Sequence, residues 1–536
     1  MKKISLIFTA IILAIVLIAC GDKEKLYAKV KLENIEREKQ AIQFDIDLED
    51  PDEQLEGALN IYINLDGERI TTKRISLDDS TAIEEIRFSG LTIGTSYEVV
   101  INGTFLGKTV ELLNTKVSTQ HAETKEIYTV EDFLAIDGSY STYKLMDDLV
   151  FSEETSSRRI ATFRDELDGN GFAIKNYTFT NNITNSGLFG ALTSNAKVHN
   201  LTIDNMTIKQ ETPIRTNRYI GFLVGRINSD SVVIENITIK NSKVDYKVDT
   251  TSTTSTVRAG FLTGGARGNI SNITIEDSNE INLTIDRYAS VFVGGLIGEV
   301  ENNHKLTLNE VVTDGTININ VDQTGTDIKV TEDGRKYKDN NHNLRIGGLI
   351  GENRNSGLQN SQNLIISTDI NYVETNIFVS HKPDLTNYAV KIGGAFGQTV
   401  STIKNALING NINITTSGYS VTEPEDEEET ATTVVARYLN VGGFAGDYLG
   451  SFTNFATVVR SNNNITINTL LEDTSLRVSK GTILGNNNPN FNANKFKLFG
   501  TINDMLNEEA FTTEGIDTIT DLITHFDNEW YSEKLS

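Results

Sequence analysis

Hydrophobic and polar residues alternate with a period of two near the start of the chain, between residues 26 and 120. Every second position is apolar in residues 42–48, and residues 59–65 repeat the pattern. Successive side chains of a strand point to opposite faces, so the pattern predicts half-buried strands. The dipeptides Asp66-Gly67 and Asn102-Gly103 are typical of hairpin turns. We therefore predict a small β-sandwich over residues 26–120.

A five-residue glycine block recurs eight times in the rest of the chain. Each copy ends with a glycine and seven also begin with one, as in Gly294-Gly295-Leu296-Ile297-Gly298. The final glycines are on average about 42 residues apart, at positions 190, 225, 264, 298, 351, 397, 446 and 485. Self-similarity at such a period is typical of repeat architectures. The two long stretches 322–343 and 423–429 read as inserted loops, and a weak cation-binding role for the acidic one stays open.

Each block is followed, 8 to 11 residues later, by an asparagine that leads an apolar alternation. These residues are Asn200, Asn236 and Asn272, with Asn309, Asn360, Asn405 and Asn454 at the same offset. Short β-branched runs separated by Asn, Gly and Asp indicate strands. We predict an all-β chain in which a right-handed parallel β-helix over residues 126–495 follows the sandwich. It would have two rungs of about 21 residues per repeat and stacked asparagines. A β-propeller is the alternative.

The first 19 residues have the pattern of a secretory signal peptide. Lys2 and Lys3 precede the apolar residues 4–19, which are fewer than the ~20 of a membrane-spanning helix. The stretch closes on Leu17-Ile18-Ala19-Cys20, which resembles the lipobox of bacterial lipoproteins. The resemblance implies cleavage before Cys20, lipidation of this cysteine, a tether over residues 20–25 and anchoring at the extracellular face of the cell membrane. Because Cys20 is the one cysteine, no intrachain disulfide is possible.

Two further segments resemble known families. Residues 91–99 are similar to the tyrosine corner of fibronectin type III domains, which implies that the Tyr97 hydroxyl bonds back to the upstream turn. The glycine blocks resemble the GLUG motif of bacterial surface proteins over about residues 127–495, which implies a cell-surface solenoid that is often adhesive. Some family members are immunoglobulin-cleaving metallopeptidases, but their His-Glu-x-x-His motif is absent from this sequence, so peptidase activity is not expected.

Helical caps are predicted at both ends of the solenoid. Residues 129–134 begin like a capping box. Apolar residues between 516 and 530, including Trp530, recur at helical spacing, so we predict a C-terminal helical cap over residues 496–536.

Composition argues against several functions. A net charge of −25 does not provide the basic face that nucleic acid requires. The six histidines are scattered, and no nucleophile elbow or phosphate-binding loop occurs, so neither a metal nor another cofactor is predicted. Asp168, in a Leu-Asp-Gly-Asn-Gly segment, is expected to be a turn residue rather than an acid catalyst or calcium ligand.

Arginine or tyrosine recurs six to ten residues before the final glycine in six of the eight blocks. Guanidinium groups and aromatic faces suit sugar rings and acidic groups. Spaced two rungs apart, about 9.6 Å, they would form a stripe that binds a glycan or another polyanion. The simpler alternative is that they only decorate one corner of each rung. The predicted ligand-binding residues are Arg218, Tyr219, Arg258, Arg287, Tyr288, Arg345, Tyr388, Arg437 and Tyr438.

These observations predict a lipid-anchored, non-catalytic surface protein. Its solenoid would bind an extracellular polysaccharide or a surface protein of a host or neighbouring cell. Two alternatives stay open. A polysaccharide lyase or glycoside hydrolase would need a cluster of acids that only folding assembles. A purely structural surface element would have no ligand.

Overall fold

The structure is a computed structural model, and its chain is almost entirely β. It describes residues 26–77, 85–152, 158–180, 183–210, 217–248, 255–285, 290–322, 329–330, 336–337, 343–354, 357–375, 390–401, 403–416, 438–449, 458–460, 465–469, 477–481, 496–498, 530–531 and 534. The described residues form two compact units. The first contains the residues up to Ile127 with Glu131–Lys144 and Arg164–Glu166, and the second contains Tyr128–Val130, Leu145–Phe163 and the residues from Leu167 onward.

The first unit contains the predicted β-sandwich, which is confirmed. One antiparallel sheet has the strand order Lys29–Arg37, Ala41–Glu49, Ile86–Ser89. The other has the order Glu68–Ser76, Ala58–Leu65, Ser96–Phe105, Lys108–Ser118. Apolar residues from both sheets form one core, in which Phe44, Ile61 and Val99 are fully buried. Strands His121–Ile127 and Tyr140–Leu145 and helix Val130–Leu134 follow in the chain, and the helix lies within residues 129–134, where a helical segment is predicted.

Of the two hairpin turns predicted in the sandwich, one is present and the other is not. Asp66 and Gly67 form the expected hairpin turn, both with positive φ (51° and 83°). Asn102-Gly103 is not a turn, because it lies inside strand Ser96–Phe105 at a bulge and the chain reverses at Leu106-Gly107. The Thr92 amide donates to the buried Tyr97 hydroxyl at 2.8 Å, which is the bond expected of a tyrosine corner.

The second unit is a parallel β-helix in which each coil contributes one strand to each of four sheets. Sheet 1 is formed by strands that end just before the glycine block or on its first residue. These strands are Asn185–Ser186, Arg218–Ile220, Thr256–Gly260, Ser290–Gly294, Asn343–Gly347, Val390–Gly393, Tyr438–Gly442 and Arg477–Gly481. Sheet 2 contains Ile160–Phe163 and then the strands that begin inside each block and continue past its final glycine. These strands are Phe189–Leu192, Val224–Ile227, Thr263–Ala266, Ile297–Val300, Ile350–Asn353, Phe396–Thr399 and Ala445–Tyr448.

Sheets 3 and 4 complete each coil. Sheet 3 contains Leu149–Val150, Glu166–Asp168, Ala173–Lys175, Lys197–Asp204, Val233–Lys240, Gly268–Ile275, Leu306–Thr313, Gln362–Ile366, Lys404–Ile408, Val458–Arg460 and Phe496–Leu498. Sheet 4 contains Thr178–Phe179, Thr207–Gln210, Lys243–Val248, Glu280–Ile285, Thr316–Asp322, Asp369–Thr375, Ile412–Thr416 and Ile465–Thr469. A small antiparallel pair, Lys329–Val330 with Lys336–Tyr337, lies in one insertion.

Register between coils corrects the predicted rung count. Leu201 pairs directly with Ile237, and Ile237 with Ile273, so each repeat makes one coil of four strands instead of two rungs. The strand that begins inside each glycine block could not be recognised as a separate strand from the sequence. Parallel pairing between successive repeats is incompatible with a propeller. Equivalent residues therefore recur on every coil, about 4.8 Å apart, and not every 9.6 Å.

The predicted asparagine ladder is present on sheet 3. The Asn236 side-chain amide donates to the Asn200 side-chain oxygen at 2.7 Å, and the Asn272 side-chain amide donates to the Asn236 side-chain oxygen at 3.1 Å. All three residues have positive φ, a conformation that asparagine tolerates better than most residues. In the next two coils the register places Glu310 and Asn363 there, so assigning Asn309 and Asn360 to this position was wrong. Asn405 holds it as predicted, and Asn454 lies outside the described residues.

Two remaining expectations concern turns and the C-terminus. The Asp168 carboxylate accepts hydrogen bonds from the backbone N–H of Asn170 (2.8 Å) and from the side-chain amide of Asn200 (3.0 Å), as a turn residue does. Phe496–Leu498 is a strand of sheet 3, while residues 499–529 lie outside the described chain. Tyr531 is fully buried, and its hydroxyl accepts from the Leu364 amide at 3.1 Å and donates to the Asn405 carbonyl. No helix among the described residues is long and apolar enough to span a membrane.

Candidate functional site

The predicted arginine and tyrosine residues do not form a single column. Tyr219, Arg258 and Arg345 share one register position on sheet 1. Phe292 occupies this position in the coil between the two arginines, and Lys391 occupies it in the coil after Arg345. Arg218 pairs with Val257 in the column of buried apolar residues and is 4% exposed. Neighbouring strand residues point to opposite faces, so Arg218 cannot share a surface with Tyr219.

The remaining predicted site residues do not add members to this column. Tyr438 is in sheet 1 and pairs with Arg477, two positions before Asn440, which holds the column position of its coil. Cys20 and four predicted ligand-binding residues lie outside the described residues, namely Arg287, Tyr288, Tyr388 and Arg437.

A second polar column lies on sheet 2, directly after the final glycine of each block. Its members are Arg226, Gly265, Glu299, Glu352, Gln398 and Asp447, which pair in register from coil to coil. Sequence reasoning missed this column. The signal was available, because a polar residue follows the final glycine in most blocks.

The two columns meet in what we call the seam, where charged sheet 1 residues contact the sheet 2 residue one coil further on. Arg258 forms an ion pair with Glu299, and Lys391 forms one with Asp447. Arg345 Nε donates to Gln398 Oε1 at 2.6 Å. The predicted arginines at 258 and 345 are therefore engaged within the protein.

The final glycine of each block makes this seam possible. A Cβ on Gly264 would lie 2.7 Å from the Tyr219 Cα of the preceding coil, and one on Gly351 would lie 2.5 Å from the Val293 nitrogen. Such distances leave no room for a side chain, since the contacts are with backbone. The recurring glycine is explained by close approach of sheet 2 to the outer face of sheet 1.

The seam is most open at its first described coils. Tyr219 is half-buried, and Arg226 and Arg258 place their guanidinium carbons 4.9 and 4.7 Å from its ring centre. Arg226 also pairs with the carboxylate of Glu301, yet 36% of its side chain is exposed. Burial raises the pKa of the Tyr219 hydroxyl despite the two nearby cations. This cluster can therefore offer a cationic group to a ligand.

The later coils of the seam are buried and contain one mismatch. By the one-coil offset, Phe292 lies opposite Glu352, which is 1% exposed. Its Oε1 accepts from Arg354, while its Oε2 has no hydrogen-bond partner in the described structure. Burial raises the pKa of Glu352, with a smaller contribution from Glu299. Burial lowers the pKa of Arg345 to about 10.

The described chain offers no site for a metal, since no three His, Cys, Asp or Glu residues in it are grouped to hold one. Glu299 and Glu352 are neighbours in register, but the first is paired with Arg258 and the second is buried. The seam can bind charge at its open coils and stabilise the solenoid elsewhere.

Comparison with known proteins leaves the family undetermined. No protein-family model matches the chain, and no curated protein matches it. Among solved structures, the chain is similar to a family 28 exopolygalacturonase of Yersinia enterocolitica. The two are 9% identical, the match covers 84% of this chain and 98% of that one, and the TM-score is 0.16. At that score the likeness carries no argument, and the β-helix assignment stands on the strand pairing.

Proposed function

We propose that this protein is a lipid-anchored, non-catalytic surface protein whose solenoid binds an extracellular glycan, with a surface protein of another cell as the second candidate ligand. The lipobox-like and GLUG-like segments support export and surface location. The solenoid supports ligand binding because stacked coils repeat one side-chain pattern along an extended surface.

The partly exposed Arg226 beside Tyr219 carries the proposal. A carboxylate or sulfate of an acidic glycan can replace Glu301 as the hydrogen-bond acceptor of this guanidinium, and the half-buried ring lies next to the bound group. Charge-assisted hydrogen bonds of this kind are stronger than neutral ones. Arg258 and Arg345 would act mainly as seam residues that hold the site in shape.

A polysaccharide array probed with residues 21–536 tests the proposal. We expect stable binding to acidic glycans, and about a tenfold loss of affinity for the variant Arg226→Gln. Arg74→Gln is the matched control, because Arg74 is an exposed arginine of the sandwich. Equal binding by both variants would remove the seam as the site. A signal that decays while the immobilised glycan shortens would favour the enzyme alternative, and silence on the array would refute glycan binding.

A further inference from the structure

The outward face of sheet 4 carries a second amide ladder. Asp245, Asn282, Asn318, Asn371 and Asn413 occupy one register position on successive coils. Each asparagine donates its side-chain N–H to the side-chain oxygen of the preceding coil, at 3.0, 2.7, 2.9 and 3.0 Å. The strands alternate strictly between buried positions and half-buried or exposed ones, so all these amides lie on one face.

The ladder uses half of the hydrogen-bonding capacity of its central amides. A primary amide has two N–H donors and two acceptor positions on its oxygen. Asn318 and Asn371 each spend one donor and one acceptor on the ladder. One donor and one acceptor therefore remain on each of these two amides, which lie about 4.8 Å apart along the axis, whereas Asn282 also donates to Glu280 at 3.2 Å.

The two rows that flank the ladder differ. The row after it in each strand is short and uncharged in the central coils, with Thr284, Asn320, Val373 and Thr415. The row before it contains two acids, Glu280 and Asp369, on either side of Thr316. Val373 is 37% exposed, an apolar contact within a polar surface. Such a surface is unusual on a chain with a net charge of −25. A charged polymer would gain little Coulomb energy here, and an apolar partner would strip water from the amides without replacing their hydrogen bonds.

We propose that the sheet 4 face binds an uncharged, hydroxyl-rich polysaccharide that runs along the solenoid axis. Each sugar hydroxyl is both a donor and an acceptor, and therefore matches the unused capacity of one amide. This inference rests on the proposed glycan-binding function and adds a ligand class and a face separate from the seam. The ladder bonds hold the amides in fixed orientations, which lowers the entropy lost on binding.

The test blocks the face without cutting the ladder. The double variant Thr284→Lys/Asn320→Lys places long side chains beside the amides on neighbouring coils. Thr238→Lys/Thr274→Lys is the matched control, since these threonines lie in register on sheet 3. The probes are immobilised dextran and mannan as neutral glycans and polygalacturonate as an acidic one. Thermal unfolding confirms that both variants remain folded.

We expect the sheet 4 variant to lose at least about tenfold in affinity for a neutral glycan. The sheet 3 variant should bind neutral glycans like the unmodified protein. Both variants add two positive charges, so their affinities for polygalacturonate should change equally. Equal binding of neutral glycans by both variants would overturn the inference, as would an unmodified protein that binds polygalacturonate alone, and glycan binding itself would survive either result. An unmodified protein that binds none of the three probes would refute the proposed function and this inference with it.

Discussion

Gly264, the final glycine of its block, and Gly265, which follows it, provide a test of the seam. A Cβ on Gly264 would meet backbone atoms, with Tyr219 Cα and Arg258 O both at 2.7 Å. A Cβ on Gly265 would meet the ring of Tyr219 at 2.8 Å, where a side chain can move. Neither glycine has positive φ, so alanine introduces no backbone strain of its own. Both substitutions add one methyl group. They differ in whether backbone or a side chain must move to make room for it.

The expected costs follow from that difference. Overpacking a well-packed site costs about 1–3 kcal/mol. Because backbone cannot rotate away, we expect Gly264→Ala to reach the upper end, about 3 kcal/mol. Replacing glycine by alanine inside a strand returns roughly 0.5–1 kcal/mol. With the ring able to shift, Gly265→Ala should therefore cost less than about 1 kcal/mol.

Native-state hydrogen exchange measures both effects, because it reports the stability of each coil in a chain whose repeats need not unfold together. Amides of residues 218–227 and 256–266 should lose about a hundredfold in protection in Gly264→Ala and change little in Gly265→Ala. Equal losses would show that the glycine is not selected for backbone approach. An unchanged Gly264→Ala would refute the seam geometry.

Four further predictions test other parts of the molecule. Burial raises the pKa of Asp165 to about 7, so the folded sandwich unit favours the protonated acid and loses stability as pH rises from about 4 to 7; Asp165→Asn should flatten this dependence in thermal melts across that range. Tyr531→Phe should lower the unfolding free energy by about 1–3 kcal/mol in urea titrations, since a buried backbone N–H and a partly buried backbone carbonyl lose their partner, and an unchanged midpoint would contradict this. Lys391→Met alone should cost about 3–5 kcal/mol, whereas adding Asp447→Leu should restore most of it in a double-mutant cycle. Cys20→Ser should move the protein from the membrane to the soluble fraction on cell fractionation, and retention in the membrane would argue against a lipid anchor.

Much of the fold could be predicted from local patterns. Period-two alternation marked the sandwich strands, and the recurring asparagine marked a position whose positive φ and amide stacking depend on the residue itself. The number of strands per coil could not be read in this way. The sheet 2 strands begin within the glycine blocks, where neither β-branched residues nor alternation signal a strand, as in Thr263–Ala266.

Two features limited the prediction of site residues. One is the face of the strand on which a residue lies, and the other is the partner that it meets in the folded chain. Arg218 and Tyr219 are adjacent in sequence, yet one joins an apolar column and the other the seam, because a shift of one residue reverses the face of a strand. The acids that pair with Arg258 and Lys391 lie 41 and 56 residues further along the chain. Inserted loops of different length separate the repeats, so no fixed sequence offset reveals these pairs.

The seam also limits where a charged ligand can bind. An arginine that already pairs with a carboxylate must give up that bond, so a ligand gains only the difference between two similar interactions. Lys391 and Asp447 are buried together, and exchange there would also require opening the solenoid. The start of the seam differs in exposure. Arg226 also pairs with a carboxylate, that of Glu301, but 36% of its side chain is exposed, so an acidic group can reach this guanidinium without opening the solenoid. The start of the seam is therefore where we expect an acidic glycan to gain most.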